Sequence, residues 1–215
     1  LNDSQSRRRA PFPVLPPHGP GLAIGLFGGS FNPPHEGHRL ASLAAMKRLG
    51  LDRVWWIVTP GNPLKDNARL PQLAARLAVA KAVADHPRID ITGFEAAIGT
   101  RFTYDTLAYL RRRCPRTRFV WIMGADNLAT FHRWQNWRGI AALMPIAIID
   151  RPGATIRAAR APAAVALHHA RVPERYAAAL PEATLPAWIF LHGPRSAQSS
   201  TALRARARGS SGAVG

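Results

Sequence analysis

Short apolar runs alternate along the chain with longer stretches in which apolar residues return every three or four positions. LAIGLF (22–27), RVWWIV (53–58), RIDIT (88–92), RFVWIM (118–123), PIAIID (145–150) and AWIFL (187–191) are brief, rich in β-branched and aromatic residues, and bounded by turn formers. They predict strands. Between them, EGHRLASLAAMKRLG, PQLAARLAVAKAVADH and YDTLAYLRRRC carry apolar residues at helical spacing without internal proline, and the first ends on Gly50, a natural helix terminator. Strands that are apolar throughout and separated by helices predict an α/β domain, a mostly parallel central sheet with helices on both faces. The alanine-rich stretch 151–186 predicts one or two helices. Residues 1–21, dominated by Ser, Arg, Pro and Gly, read as a flexible leader; 22–208 read as a single domain and 209–215 as a tail.

In a parallel sheet, ligands bind at the carboxyl ends of the strands. That rule places three segments on one rim: Gly28 to His38, Thr59 to Lys65, and Gly124 to Trp137. In GLFGGSFNPPHEGHRL (25–40), Gly28 and Gly29 form a turn between a strand and a helix, where the backbone can approach a phosphate closely. The dinucleotide pattern GxGxxG and the P-loop GxxxxGK[ST] are both absent. His35 and His38 stand three apart at the helix start, on one face, beside N–H groups that favour an anion. A zinc pair is the rival reading, although HEGH is one residue short of HExxH; two solvated imidazoles are the other.

SAQSSTALRAR (196–206) offers a second phosphate-binding device, with hydroxyls at a helix start followed by an arginine one turn later. A simple helix cap explains the hydroxyls equally well. In MGADNLATFHRWQNWRG (123–139), Gly124 permits a turn and Asp126 suits ribose hydroxyls or an adenine amino group. Trp134 and Trp137 are spaced for one helix face, either to stack on a planar ring or to fill the core. Trp55 and Trp56 lie within a predicted strand and read as core.

Bulk properties add less. The formal charge is +17 over 215 residues, spread along the chain rather than confined to its ends. Such a field attracts polyanions, from nucleic acid to nucleoside triphosphates, but an arginine-rich surface explains it as well. Cys114 is the single cysteine, which excludes a disulfide framework. No apolar run is long enough to span a bilayer, so a cytoplasmic protein is expected, with no membrane partner.

Taken in order, GGSFNPPHEGH and SSTALR resemble the paired HxGH and SSTxxR signatures of the nucleotidyltransferase superfamily. NPLK, RFTYDTL, FVWIMGADNL and RPG narrow the resemblance to bacterial nicotinate-nucleotide adenylyltransferases, over about residues 22–206. The resemblance implies a Rossmann-like fold and transfer of an adenylyl group from ATP to nicotinate mononucleotide, with Mg²⁺ carried mainly by the ATP phosphates and no dedicated metal ligands. It assigns Gly28, Gly29, Ser30, Gly124 and Asp126 to ATP, together with His35, His38, Ser199, Thr201 and Arg204. Of these, His38, His35 and Arg204 are the implied catalytic groups. Asn62, Lys65, Thr103, Trp134 and Arg151 are implied contacts of the mononucleotide. Two positions depart from the family habit: Gln198, where an apolar residue is common, and Phe102, where tyrosine is common. A related enzyme acting on nicotinamide mononucleotide or phosphopantetheine is the nearest alternative, and a nucleic-acid-binding protein a distant one. The basic charge suggests the latter, yet no RNA-binding signature accompanies it.

Overall fold

The structure is a computed structural model and describes residues 13–61, 67–68, 70–150 and 160–192. Seven parallel strands form one sheet in the order β3-β2-β1-β4-β5-β7-β6. The strands are β1 (Ala23–Gly29), β2 (Arg53–Val58), β3 (Ile89–Thr92), β4 (Arg118–Gly124), β5 (Ile146–Ile149), β6 (Arg171–Val172) and β7 (Trp188–Leu191). Six of them fall on the predicted apolar runs. The two-residue β6 has no counterpart among those runs, being too short to leave a pattern.

The helices are α1 (Glu36–Leu49), α2 (Leu73–Ala84), α3 (Phe94–Ile98), α4 (Thr103–Arg113), α5 (Ala125–Leu128) and α6 (Trp137–Leu143), with a further short one at Pro162–Ala166. α1 stops where expected: Gly50 takes a left-handed φ of 64° and its N–H returns to the Met46 carbonyl. Within 151–186 the described residues hold mostly 3₁₀ turns, at His168–Ala170 and Glu174–Glu182, around β6. Pro173 and Pro181 interrupt the alanine pattern there and prevent a long α-helix.

Strand alternation divides the apolar runs between two core layers. Ile24, Leu26, Trp55, Ile57, Phe119 and Trp121 face the side covered by α4, α5 and α6. Phe27, Val54, Trp56, Val58, Val120 and Ile122 face α1, α2 and the 3₁₀ segment. Trp55 and Trp56 are thus both fully buried, on opposite faces. Ala41 and Ala45 of α1, with Ala80 and Ala84 of α2, let these helices lie close on the sheet. Residues at the end of the expected leader also pack against the domain. Leu15 touches the core, His18 meets Trp55 edge-on at 6.1 Å, and the Thr117 hydroxyl donates to the Gly19 carbonyl at 3.0 Å.

The strand order reverses direction between β1 and β4, so the crevice between their carboxyl ends is the topological switch point, the usual ligand site of such sheets. The rim is extended by Thr59 beyond β2, whose N–H donates to the Gly29 carbonyl at 3.0 Å.

Candidate functional site

β1 runs through Gly28 and Gly29, which pair with Ile57 and Val58 of β2. The two glycines are therefore strand residues and not the expected turn. Their backbone does not require left-handed φ. Gly28 is constrained instead from below: a Cβ there would lie 2.3 Å from Cη2 of Trp121 on β4. Gly29 has ordinary room, its nearest neighbour being the Phe31 ring at 3.4 Å. Gly124 likewise ends β4 in extended conformation (φ −74°, ψ 155°), so it too is no turn glycine.

The chain turns at Ser30 and Phe31. Phe31 adopts a φ of 44°, a strained value for a bulky side chain, and is buried with its ring stacked on Trp56 at 4.9 Å and 15°. Packing holds it there: Phe27 lies edge-on at 6.1 Å and His38 at 4.9 Å.

His35 and His38 come together as the sequence predicts, with an added asymmetry. His35 is the N-cap residue of α1 and His38 its third residue; both are at least nine-tenths buried, with ring centroids 3.9 Å apart. The His35 backbone N–H donates to Nδ1 of His38 at 3.2 Å. In the neutral ring that acceptor role leaves the hydrogen on Nε2, which makes Nε2 the donor of this imidazole. A relay from the sheet secures the turn: Trp56 Nε1 donates to the Ser42 hydroxyl at 2.7 Å, and that hydroxyl donates to the His38 carbonyl at 2.9 Å. The result is a fixed imidazole pair at the N-terminus of a 14-residue helix, whose dipole favours negative charge, an arrangement suited to binding an anion.

Across the switch point, Asp126 lies exposed in the first turn of α5. Trp134 and Trp137 do not share one helix face. Trp134 follows a 3₁₀ turn in extended conformation, and Asn136, with left-handed φ of 48°, caps α6, which begins at Trp137. The Asn136 side chain accepts the Gly139 N–H at 3.2 Å, so local capping breaks the helical spacing. Trp134 remains half-buried, edge-on to Trp121 at 6.4 Å and to Phe131 at 5.4 Å, two rings away from Gly28. Thr103 opens α4, half-buried, behind Phe102. Ser30 is half-buried at the end of β1. Asn62, Lys65, Arg151, Ser199, Thr201 and Arg204 lie outside the described residues.

Two charged residues at this rim escaped the sequence reading. Arg76 of α2 is 4% exposed and reaches the loops behind β1 and β2. Its signal was present: it shares the buried stripe of Ala80 and Ala84, at four-residue spacing. Glu95 of α3 is 6% exposed and accepts the Thr106 hydroxyl at 2.6 Å. Burial pushes its carboxyl above the usual range, opposed by the hydroxyls of Thr106 and Thr59. In the window between the ordinary carboxylate value and this raised one, the folded chain holds a proton that the unfolded chain has released. Stability therefore falls as pH rises through that window. Glu95→Gln keeps an acceptor for Thr106 and should flatten this component in thermal melts taken from about pH 4 to about pH 7. Parallel profiles for the two proteins would refute the assignment.

Among the described residues no group of three or more His, Cys, Asp or Glu side chains could hold a metal ion, and no helix is long and apolar enough to cross a membrane.

The cytidylyltransferase-like family model matches residues 26–206, from β1 through the SSTALR motif. A relative from Bradyrhizobium sp. (strain ORS 278), named "Probable nicotinate-nucleotide adenylyltransferase", is 61% identical over 183 residues, covering 85% of this chain and 95% of its own. The chain belongs to the nicotinate-nucleotide adenylyltransferases of the cytidylyltransferase-like family. Relatives of the same name from Methylorubrum extorquens and Rhizobium meliloti are 60% and 54% identical. Alignment with them spans 86% and 87% of this chain and 100% of each relative. Among solved structures, the Plasmodium falciparum nicotinic acid mononucleotide adenylyltransferase complexed with NaAD superposes with a TM-score of 0.61. It covers 86% of this chain and 83% of its own at 16% identity, a likeness that establishes the Rossmann-like nucleotidyltransferase fold of this adenylyltransferase.

Proposed function

We propose that the chain transfers the adenylyl group of ATP to nicotinate mononucleotide, forming nicotinate adenine dinucleotide and pyrophosphate in NAD biosynthesis. The observation that carries this reading is the buried His35–His38 pair at the start of α1, seated at the switch point of a chain 61% identical to a relative of that name. The mononucleotide phosphate is a nucleophile at neutral pH. Its oxygen attacks the α-phosphate of ATP in line, one P–O bond forms, the bond to the bridging oxygen breaks, and pyrophosphate leaves. No covalent enzyme intermediate is required. Catalysis then rests on alignment and on neutralising charge in the transition state.

In this reading His38 Nε2 donates to the reacting phosphates, assisted by His35, the first-turn N–H groups of α1, and Ser199, Thr201 and Arg204 from the C-terminal motif. Gly28, Gly29 and Ser30 line the nucleotide through their backbone, and Gly124 and Asp126 serve the adenosine. Trp134 and Thr103 receive the nicotinate ring and its carboxylate, while Asn62, Lys65 and Arg151 hold the mononucleotide phosphate. Magnesium fits the donor set as an ion carried by phosphate and water, because the groups gathered here are imidazoles and N–H donors rather than an oxygen cage. It would supply positive charge to the triphosphate. A cytoplasmic setting belongs to the same reading.

Pyrophosphate release from ATP against a panel of acceptors tests the assignment. The expected preference for nicotinate over nicotinamide mononucleotide is at least ~10-fold in kcat/KM, or ~1.4 kcal/mol. Equal efficiency with both would remove the nicotinate assignment, and activity with phosphopantetheine alone would move the enzyme to a sister group. Tight nucleic-acid binding at high salt, without pyrophosphate release, would favour the binding-protein alternative.

A further inference from the structure

Arg76 is a cation in a nearly dry place. Among the described residues no carboxylate pairs with it, and all its hydrogen bonds go to backbone carbonyls. Nε donates to Pro71 at 2.9 Å, and Nη1 donates to Ser30 at 2.9 Å and to Thr59 at 2.8 Å; Nη2 reaches Pro60 at 3.4 Å. Burial accordingly pulls its pKa below the usual arginine value. An apolar side chain of similar size would fill this position on α2 without desolvating a charge. What only a planar, five-donor fork supplies is simultaneous attachment to several separate carbonyls.

Three of those carbonyls, at Ser30, Thr59 and Pro60, belong to the loops that leave β1 and β2 on the carboxyl rim of the sheet, β1 being one side of the switch point. Ser30 follows β1 and opens the strained turn leading to His35 and His38. Thr59 and Pro60 leave β2 and open the segment that carries Asn62 and Lys65. In a trans peptide the C=O and the following N–H point in opposite directions. Anchoring the Ser30 carbonyl therefore turns the Phe31 N–H away from Arg76, and anchoring Pro60 does the same for Gly61. The buried charge polarises both donors.

We infer that Arg76 is a positioning residue, which sets the loop after β1 and the loop after β2 relative to each other through one guanidinium. Its kinetic consequence rests on the adenylyl-transfer reading, since those loops then carry the two reactants. Arg76→Lys keeps the charge but replaces the fork by a point donor, and Arg76→Met removes both. In Arg76→Lys, amide hydrogen exchange should rise together at Ser30 and Phe31 and at Thr59 and Gly61 while β4 and α4 stay protected. Misalignment should lower kcat by ~10-fold or more, with smaller changes in KM for either substrate. A purely stabilising residue would lower the melting temperature and leave kcat per folded molecule intact.

Unchanged exchange at both loops, or a rise at only one, overturns the inference, as does an unchanged kcat in an active background. If the unmodified chain releases no pyrophosphate with any acceptor, the functional reading fails, and the exchange experiment still decides the role of Arg76. Should both variants fail to fold, the guanidinium hydrogens of Arg76 in the unmodified chain provide the test. Slow exchange with solvent is expected, and rapid exchange refutes the fork.

Discussion

Turnover by His38→Ala should fall by ~10² or more at saturating substrates, equivalent to about 2.7 kcal/mol of lost transition-state stabilisation, while mononucleotide binding should change little. The expectation follows from how the imidazole is held. Its Nδ1 is occupied by the His35 N–H at 3.2 Å, which fixes the tautomer and leaves Nε2 as donor. The ring is wedged between Phe31 at 4.9 Å, Phe27 at 5.8 Å and Trp56 at 5.9 Å, so no rotamer search precedes the reaction. In the proposed reaction, a donor fixed in this way would stabilise charge that appears only as the α-phosphate is attacked, and would contribute little to ground-state binding. The substitution also removes the acceptor of the His35 N–H at the helix start. Rates must therefore be expressed per folded molecule, with a thermal melt alongside. Near-normal turnover would transfer the role to His35 or Arg204.

Gly28→Ala should destabilise the fold by about 1–3 kcal/mol despite adding a single methyl group. The added carbon would sit 2.3 Å from Cη2 of Trp121 and 3.2 Å from its Cζ2 and Cζ3. Trp121 is 3% exposed and packed in the core beneath β1, with Trp134 against its edge, so it has little space into which to retreat. Displacing it would also shift Trp134, and if Trp134 receives the nicotinate ring as proposed, the mononucleotide KM should rise together with the loss of stability. Gly29→Ala is the control, since its Cβ would meet only the Phe31 ring at 3.4 Å. Denaturant melts of Gly28→Ala, Trp121→Phe and the double variant form a cycle. The smaller ring should recover a substantial part of the loss. Additive effects would show that the two positions do not oppose each other.

Magnitudes also separate the groups at the rim. The Arg48–Glu174–His192 cluster, at 2.7 Å for each contact, ties the end of α1 to the residue that follows β7. Burial would raise the Glu174 carboxyl, but hydrogen bonds from His192 and Arg48 outweigh it and hold the group below its ordinary range. All three side chains are partly exposed, so the cluster ranks well below His38 and Gly28 in expected effect.

Much of this protein was legible because its signals are local or periodic. Six apolar runs announced six strands, and Gly50 announced the end of α1, since burial on both sheet faces and left-handed φ leave marks in nearby residues. The histidine pair was equally readable, because helical geometry alone brings positions three apart together. Spacing failed where a local interaction overrode it. Asn136 starts a new helix between Trp134 and Trp137, and two prolines break the alanine-rich stretch into 3₁₀ turns.

Other features exist only after the sheet has formed. Gly28 must be glycine because of a tryptophan 93 positions later on the neighbouring strand β4, which no local pattern could reveal. Arg76 stood on the buried stripe of α2, but its carbonyl partners at Ser30, Thr59 and Pro60 are set by the parallel register of β1 and β2. Six of the seven strands, the end of α1 and the pairing of His35 with His38 were set by the sequence, since these depend on neighbours within a few residues. Tertiary structure alone decided which carbonyls face a buried charge, which glycine has no room for a methyl group, and which nitrogen of His38 donates, because each depends on packing between segments distant along the chain or on the exact fold of a turn.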